Sequence, residues 1–218
     1  MYIGGGVVDA AFNVKNGIKT LTKILLKGGI GTIEFSNSSD QFNNYDDLKS
    51  TMDQFKNDFN EVIIEIGTKE KDDYSVSYVP WEKALNSAIK SGADRIIIEG
   101  GGGDVGIYDE KSHLKLMLLV HLLKICSDSD YDYSKLIFET MRRKHQAVLM
   151  KIMGKDVSLG NIPLEDVDFI NKGKNYFKGD TPQYLRLLNE YNEIMNQSRN
   201  GGLSLDFNKL LMLGYQEY

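Results

Sequence analysis

Short apolar runs rich in valine and isoleucine alternate along this chain with longer stretches of helical period. The runs are Tyr2 to Val8 (YIGGGVV), Gly31 to Ser36 (GTIEFS), Glu61 to Gly67 (EVIIEIG), Arg95 to Gly101 (RIIIEGG), Lys135 to Thr140 (KLIFET) and Val157 to Ile162 (VSLGNI). Between them the 3.6-residue period predicts helices at about Val14 to Lys27, Tyr45 to Phe59, Pro80 to Ser91, Lys111 to Ser127 and Arg143 to Met153. Pro80 suits a first helical turn, where its missing N–H is no loss. This alternation predicts parallel βαβ units, and strands apolar on both faces imply a sheet covered on both faces, either doubly wound or closed into a barrel. Beyond them, Pro182 to Tyr218 reads as a helical stretch (TPQYLRLLNEYNEIMNQ), a Gly201-Gly202 break and an amphipathic piece (LSLDFNKLLMLGY). The division follows as an α/β domain over 1–181 and a helical extension over 182–218.

The strands share a chemical feature. Near their carboxyl ends stand Asp9, Glu34, Glu65, Glu99 and Glu139, with Asn161 at the corresponding place in the sixth. In parallel α/β folds those ends form the ligand face, so side chains far apart in sequence meet there. Any one glutamate is ordinarily a salt-bridge partner or a helix N-terminal acid. Glu65, Glu99 and Glu139 recur on three consecutive strands, which favours a shared pocket in which a divalent ion, Mg²⁺, relieves the repulsion of converging carboxylates. Four glycines, Gly100 to Gly103, follow Glu99, and their place after a strand suits backbone amides that approach an anion. No GxGxxG or GKS/T pattern accompanies them. His113 and His121 lie eight apart, not at the i, i+4 metal spacing, and read as helix-surface residues.

Composition narrows the classes. The 218 residues, 41% hydrophobic and 10% aromatic, suffice for one sizeable core. A formal charge of -5 and a pI near 5.3, with lysines interspersed among acids, argue against a nucleic-acid partner. The single cysteine, Cys126, excludes an internal disulfide and points to a reducing compartment, with Cys126 itself as a small core residue. The absence of a long uncharged apolar segment and of a signal-peptide pattern predicts a soluble, cytoplasmic protein without a membrane partner.

The segments VIIEIGTKEKD, GADRIIIEGGGG with GIYDE, KLIFET, SLGNIPLEDV and KGDT occur in one order and resemble the phosphosulfolactate synthase family, the first enzymes of one route to coenzyme M. The resemblance runs from Tyr2 to about Thr181, with YIGGG similar to the family's third barrel strand and IEFSN to its fourth. It implies an α/β fold of the TIM-type (β/α)8 barrel family, here six recognisable βα units corresponding to strands 3 to 8, plus the helical C-terminal tail. It also implies Mg²⁺-dependent addition of sulfite to phosphoenolpyruvate. Lys69 lines up with the family lysine proposed as proton donor, and Lys178 with the arginine before Gly-Asp-Thr. Gly101, Gly102 and Gly103 replace a family Arg-Glu-Ser, so they resemble a remodelled anion loop, and Arg142, Arg143 and Lys144 bring cations to the same face. With Asn161 these form the expected substrate-binding set, Lys69 the catalytic residue, and Glu65, Glu99 and Glu139 the metal ligands. Because Tyr2 already matches strand three, six strands leave two edges, to be answered by a fragment reading, by a homo-oligomer or by the tail. The alternative reading is a divergent, non-catalytic or stress-associated barrel homologue that binds a small anionic ligand.

Overall fold

A computed structural model of the chain describes residues 2–36, 45–67, 79–101, 106–109, 113–176 and 183–199. Six strands, β1 (Tyr2–Ile3), β2 (Thr32–Ser36), β3 (Glu61–Ile66), β4 (Arg95–Ile98), β5 (Leu136–Glu139) and β6 (Ser158–Gly160), form one sheet in the order β1-β2-β3-β4-β5-β6. Every pairing is parallel. The helices are α1 (Gly5–Phe12), α2 (Gly17–Lys27), α3 (Tyr45–Asp58), α4 (Val79–Ser91), α5 (Leu116–Asp128), α6 (Arg143–Met153), α7 (Val167–Tyr176) and α8 (Gln183–Arg199).

The two faces of the sheet differ. Ile33, Phe35, Val62, Ile64, Ile66, Ile96, Ile98, Leu136 and Phe138 point into one continuous core with the helices. Their alternates Glu34, Ile63, Ile97 and Ile137 line a cavity on the other face. Helices follow one another side by side, α3 on α4 and α4 on α5, so the strands curl as a TIM-type barrel wall with its helices outside. The second apolar face is therefore barrel interior, not the underside of another helix layer. Among the described residues β1 and β6 each pair on one side only. No helix among them is long and apolar enough to cross a membrane.

Three expectations are corrected. Tyr2 to Val8 does not continue as a strand, because the chain turns at Gly4 into α1. Val8 and Phe12, one helical turn apart, are drawn inward, and Phe12 packs on Phe35 and Phe55 with ring centroids 6.2 Å away in each case. Asp9 consequently sits on a helix, yet its Oδ1 accepts the backbone N–H of Ser36 at 3.2 Å and closes the end of β2. Second, α7 and the 3-10 turn before it, Leu164–Asp166, arise where no helix was expected. Third, His121 is not a surface residue: α5 is buried almost all round, and His121 Nδ1 lies 3.1 Å from the hydroxyl of Tyr191 on α8. Cys126 is fully buried on the same helix, and burial pushes its thiol up to about 12. Helix α8 packs on α5 and α6 and adds Leu187, Leu188 and Tyr191 to the core.

Candidate functional site

The concave face encloses a cavity of about 510 Å³, within the range of small-molecule sites. Strand alternation builds its wall. Gly4 lines the cavity just after β1; Glu139, Gly160 and Asn161 line it at the carboxyl ends of β5 and β6, Glu34, Ile63, Ile97, Ile137 and Leu159 along the strands, and Thr32, Glu61 and Arg95 form its floor at the amino ends of β2, β3 and β4.

Glu139 is the last residue of β5, and its Oε2 accepts the N–H of Gly100 at 3.3 Å. Gly100 has no room for a side chain: a Cβ there would lie 2.4 Å from the Glu139 carbonyl oxygen. The chain then returns on itself, since a Cβ on Gly106 would fall 2.5 Å from both N and O of Gly101. Lys115 Nζ donates to the Gly106 carbonyl at 3.0 Å, and the Ile107 N–H to the Glu99 carbonyl at 3.1 Å, fixing the base of the glycine segment. The glycines at 100 and 106 thus serve close backbone approach at the rim.

The other expected residues fall in different places. Asn161 lines the upper cavity with φ 55, a left-handed conformation that asparagine tolerates. Glu65 is half-buried on β3, in register with Ile97, and Glu99 is buried just after β4; neither lines the cavity. Glu99 packs against Gly67, whose φ of +125 and whose missing Cβ, 2.4 Å from that of Glu99, both require glycine. Arg142 is the exposed residue that opens α6. Arg143 is engaged elsewhere: its Nε donates to Asp166 Oδ1 at 2.6 Å, and its guanidinium lies 5.6 Å from the Phe169 ring. The Arg143 hydrogen bond, helped by Gln146, holds the Asp166 carboxyl below its ordinary range. Lys69, Gly102, Gly103 and Lys178 lie outside the described residues.

Among the described residues no group of three or more His, Cys, Asp and Glu side chains is gathered closely enough to hold a metal ion. The rim therefore presents dispersed oxygen donors instead of a closed cage. Of the three glutamates expected to share a metal, Glu139 alone lines the cavity.

Sequence reasoning missed a buried polar bracket behind the rim. Tyr108 stacks on His145 with centroids 3.7 Å apart and planes 11° from parallel. Gln146 Nε2 donates to the Thr140 carbonyl at 3.2 Å and to Asp166 Oδ2 at 3.1 Å, tying the end of β5 to α6 and to the turn before α7. No spacing in the sequence signals these pairings. Arg95 and Glu34 had a signal, since each alternates with core residues of its own strand.

Parallel βα units with carboxylates and a ligand-sized cavity toward the strand carboxyl ends define a TIM-type α/β enzyme scaffold. The model of the family described as (2R)-phospho-3-sulfolactate synthase (ComA) matches residues 1–172, and the chain belongs to that family of enzymes. The phosphosulfolactate synthase of Methanocaldococcus jannaschii is 27% identical over 184 residues, 83% of this chain and 70% of that protein. The phosphosulfolactate synthase of Methanothermobacter thermautotrophicus is 25% identical over 123 residues, 55% of this chain and 46% of that protein. Among solved structures, that of D-psicose 3-epimerase in the presence of D-fructose matches with a TM-score of 0.45 and 14% identity, covering 69% of this chain and 57% of that one.

Proposed function

We propose that the chain forms a carbon–sulfur bond by adding sulfite to phosphoenolpyruvate, giving phosphosulfolactate. The observation that carries this reading is Glu139 at the mouth of the cavity, anchored by the Gly100 N–H, in a chain of the phosphosulfolactate synthase family. Sulfite's sulfur lone pair attacks the methylene carbon, the double-bond electrons move toward the carboxylate, and a proton completes the neighbouring carbon. Mg²⁺, when bound, would stabilise the negative charge that develops on the carboxylate. Glu139 is its proposed ligand, the one of the three expected carboxylates that lines the cavity, with water and substrate oxygens completing the shell. Lys69, two residues after Gly67 in the sequence, supplies the proton as general acid.

The anionic groups need positive partners. Arg142 stands where α6 begins, and a helix N-terminus favours anions. Lys178 and the amides of Gly101, Gly102 and Gly103 complete the proposed anion set, with Asn161 at the end of β6, the strand beside β5. Arg143 joins only by leaving Asp166. We place the working state as a homo-oligomer in which another copy covers the single-sided edges β1 and β6; light scattering after size-exclusion chromatography tests that, and a monomer would refute it. Glycine at 101–103, where the family carries Arg-Glu-Ser, favours a second reading as a non-catalytic anion-binding barrel.

The test is incubation with phosphoenolpyruvate, sulfite and MgCl₂ followed by ³¹P NMR. The synthase reading expects sulfite-dependent loss of the phosphoenolpyruvate resonance and growth of a phosphosulfolactate resonance. A folded protein that leaves the spectrum unchanged supports the scaffold reading instead.

A further inference from the structure

We infer that the floor of the cavity is a second, separate binding site, in which Arg95 takes the acid group of a small amphipathic monoanion whose hydrocarbon body lies along Ile63, Ile97, Ile137 and Leu159. Arg95 begins β4 and, by alternation, shares the inner face with Ile97 and Glu99. Its guanidinium reaches across β5 to β6, where Nη2 donates to Ser158 Oγ at 3.1 Å. Ser158 Oγ in turn donates to the Ser134 carbonyl at 3.3 Å, which holds that end of the contact. Of the Lys, Arg and His side chains among the described residues, Arg95 alone lines the cavity.

Two further observations point to a ligand. Glu61, the other charge on the floor, accepts from Thr32 Oγ1 at 3.2 Å, and no ion pair joins it to Arg95. The rest of the five guanidinium donors are thus uncommitted within the described residues, in the fork geometry that matches a carboxylate. The wall above is apolar, so a fully hydrated ion would leave isoleucines facing water, whereas a hydrocarbon body covers them. The site lies at the opposite end of the strands from Glu139 and Asn161, within the same cavity. Four residues of extended chain separate Arg95 from Glu99, about 13 Å at roughly 3.3 Å per residue.

The experiment titrates the full chain with sodium octanoate and, separately, with inorganic phosphate, in the absence of phosphoenolpyruvate, sulfite and magnesium. Failure of the synthase reading therefore leaves it untouched. Calorimetry is expected to give one octanoate per chain, phosphate is expected not to displace it, and Arg95→Gln should weaken octanoate by about ten- to a hundredfold, the loss of a charge-assisted hydrogen bond. In wild type, the Arg95 Nε–H cross-peak should move on octanoate addition, a readout that stands even if Arg95→Gln does not fold. Absence of octanoate binding, equal binding by a folded Arg95→Gln, displacement by phosphate, or an unmoved Arg95 cross-peak would each overturn the inference.

Discussion

The backbone N–H of Gly100 donates to Oε2 of Glu139 at 3.3 Å, so the exit of β4 is bolted to the last residue of β5. Proximity of this kind makes glycine obligatory at one end and orients a carboxylate at the other. A side chain at position 100 would press on the Glu139 carbonyl oxygen at 2.4 Å and on its Cβ at 2.9 Å. Gly100→Ala should therefore destabilise the fold by about 1–3 kcal/mol, the range for forced overpacking. Gly6→Ala, on α1 with nothing within 4 Å of the added Cβ, should stabilise it by about 0.4–1 kcal/mol. Urea midpoints of the two variants should move in opposite directions; a shift of both in the same direction would contradict the packing described at the rim.

The Asp166–Arg143 pair sets an acid limit on stability. Asp166 has its folded pKa below the ordinary 3.8, with the Arg143 hydrogen bond as the first cause. A depressed carboxylate contributes stability above its unfolded pKa and loses it as the pH falls through the folded value. Stability measured downward from pH 5 should fall in wild type, and Asp166→Asn, less stable at pH 7, should show a flatter acid limb. Equal slopes in the two proteins would exclude Asp166 from the acid transition.

His121 predicts a second pH effect in a different window. Its Nδ1 meets the Tyr191 hydroxyl on α8 at 3.1 Å, and its Nε2 lies 3.5 Å from Glu82 Oε2 on α4. Burial lowers its pKa below 6.5, Glu82 opposes that by charge and hydrogen bonding, and Lys124 adds to the lowering. The folded state thus prefers the neutral ring, so this stability is present above pH 6.5 and declines as the pH falls toward the folded value. Melting curves of His121→Gln should lose the part of the pH 7 to 5 slope that wild type shows.

How much of this was legible from sequence depends on where each residue gets its role. Alternation along Arg95, Ile97 and Glu99 places those residues on one face from spacing alone, and the six strands with their order follow from the Val and Ile runs. Tyr2 to Val8 misled because Val7 and Val8 carry strand propensity, while the neighbours of Val8 and Phe12 in the core decide for a helix. Helix α7 was hidden by its Gly173 and by the polar composition of DVDFINKGKNY. His121 was misplaced because a helix apolar all round has no surface face, a rule that LMLLVHLLKIC itself satisfies. The Tyr108–His145 stack and the Gln146 bracket are set by long-range packing and leave no local trace.

Magnesium should bind weakly and keep water, because the described rim has dispersed carboxylates and no closed cluster. Mn²⁺ used as a paramagnetic probe should broaden backbone resonances near Glu139, and Glu139→Gln should weaken that effect. Broadening confined to residues remote from the strand carboxyl ends would place the metal elsewhere.

The central claim is that the carboxyl-end rim carries out the addition with Lys69 as proton donor, and the ratio of initial rates for wild type and Lys69→Met tests it most directly. Methionine keeps most of the stem volume while removing the charge and the proton. With phosphoenolpyruvate, sulfite and MgCl₂ present, wild type should turn over and Lys69→Met should be slower by about two to four orders of magnitude, at an unchanged melting temperature. Equal rates in the two proteins, or no turnover by folded wild type, would contradict the account.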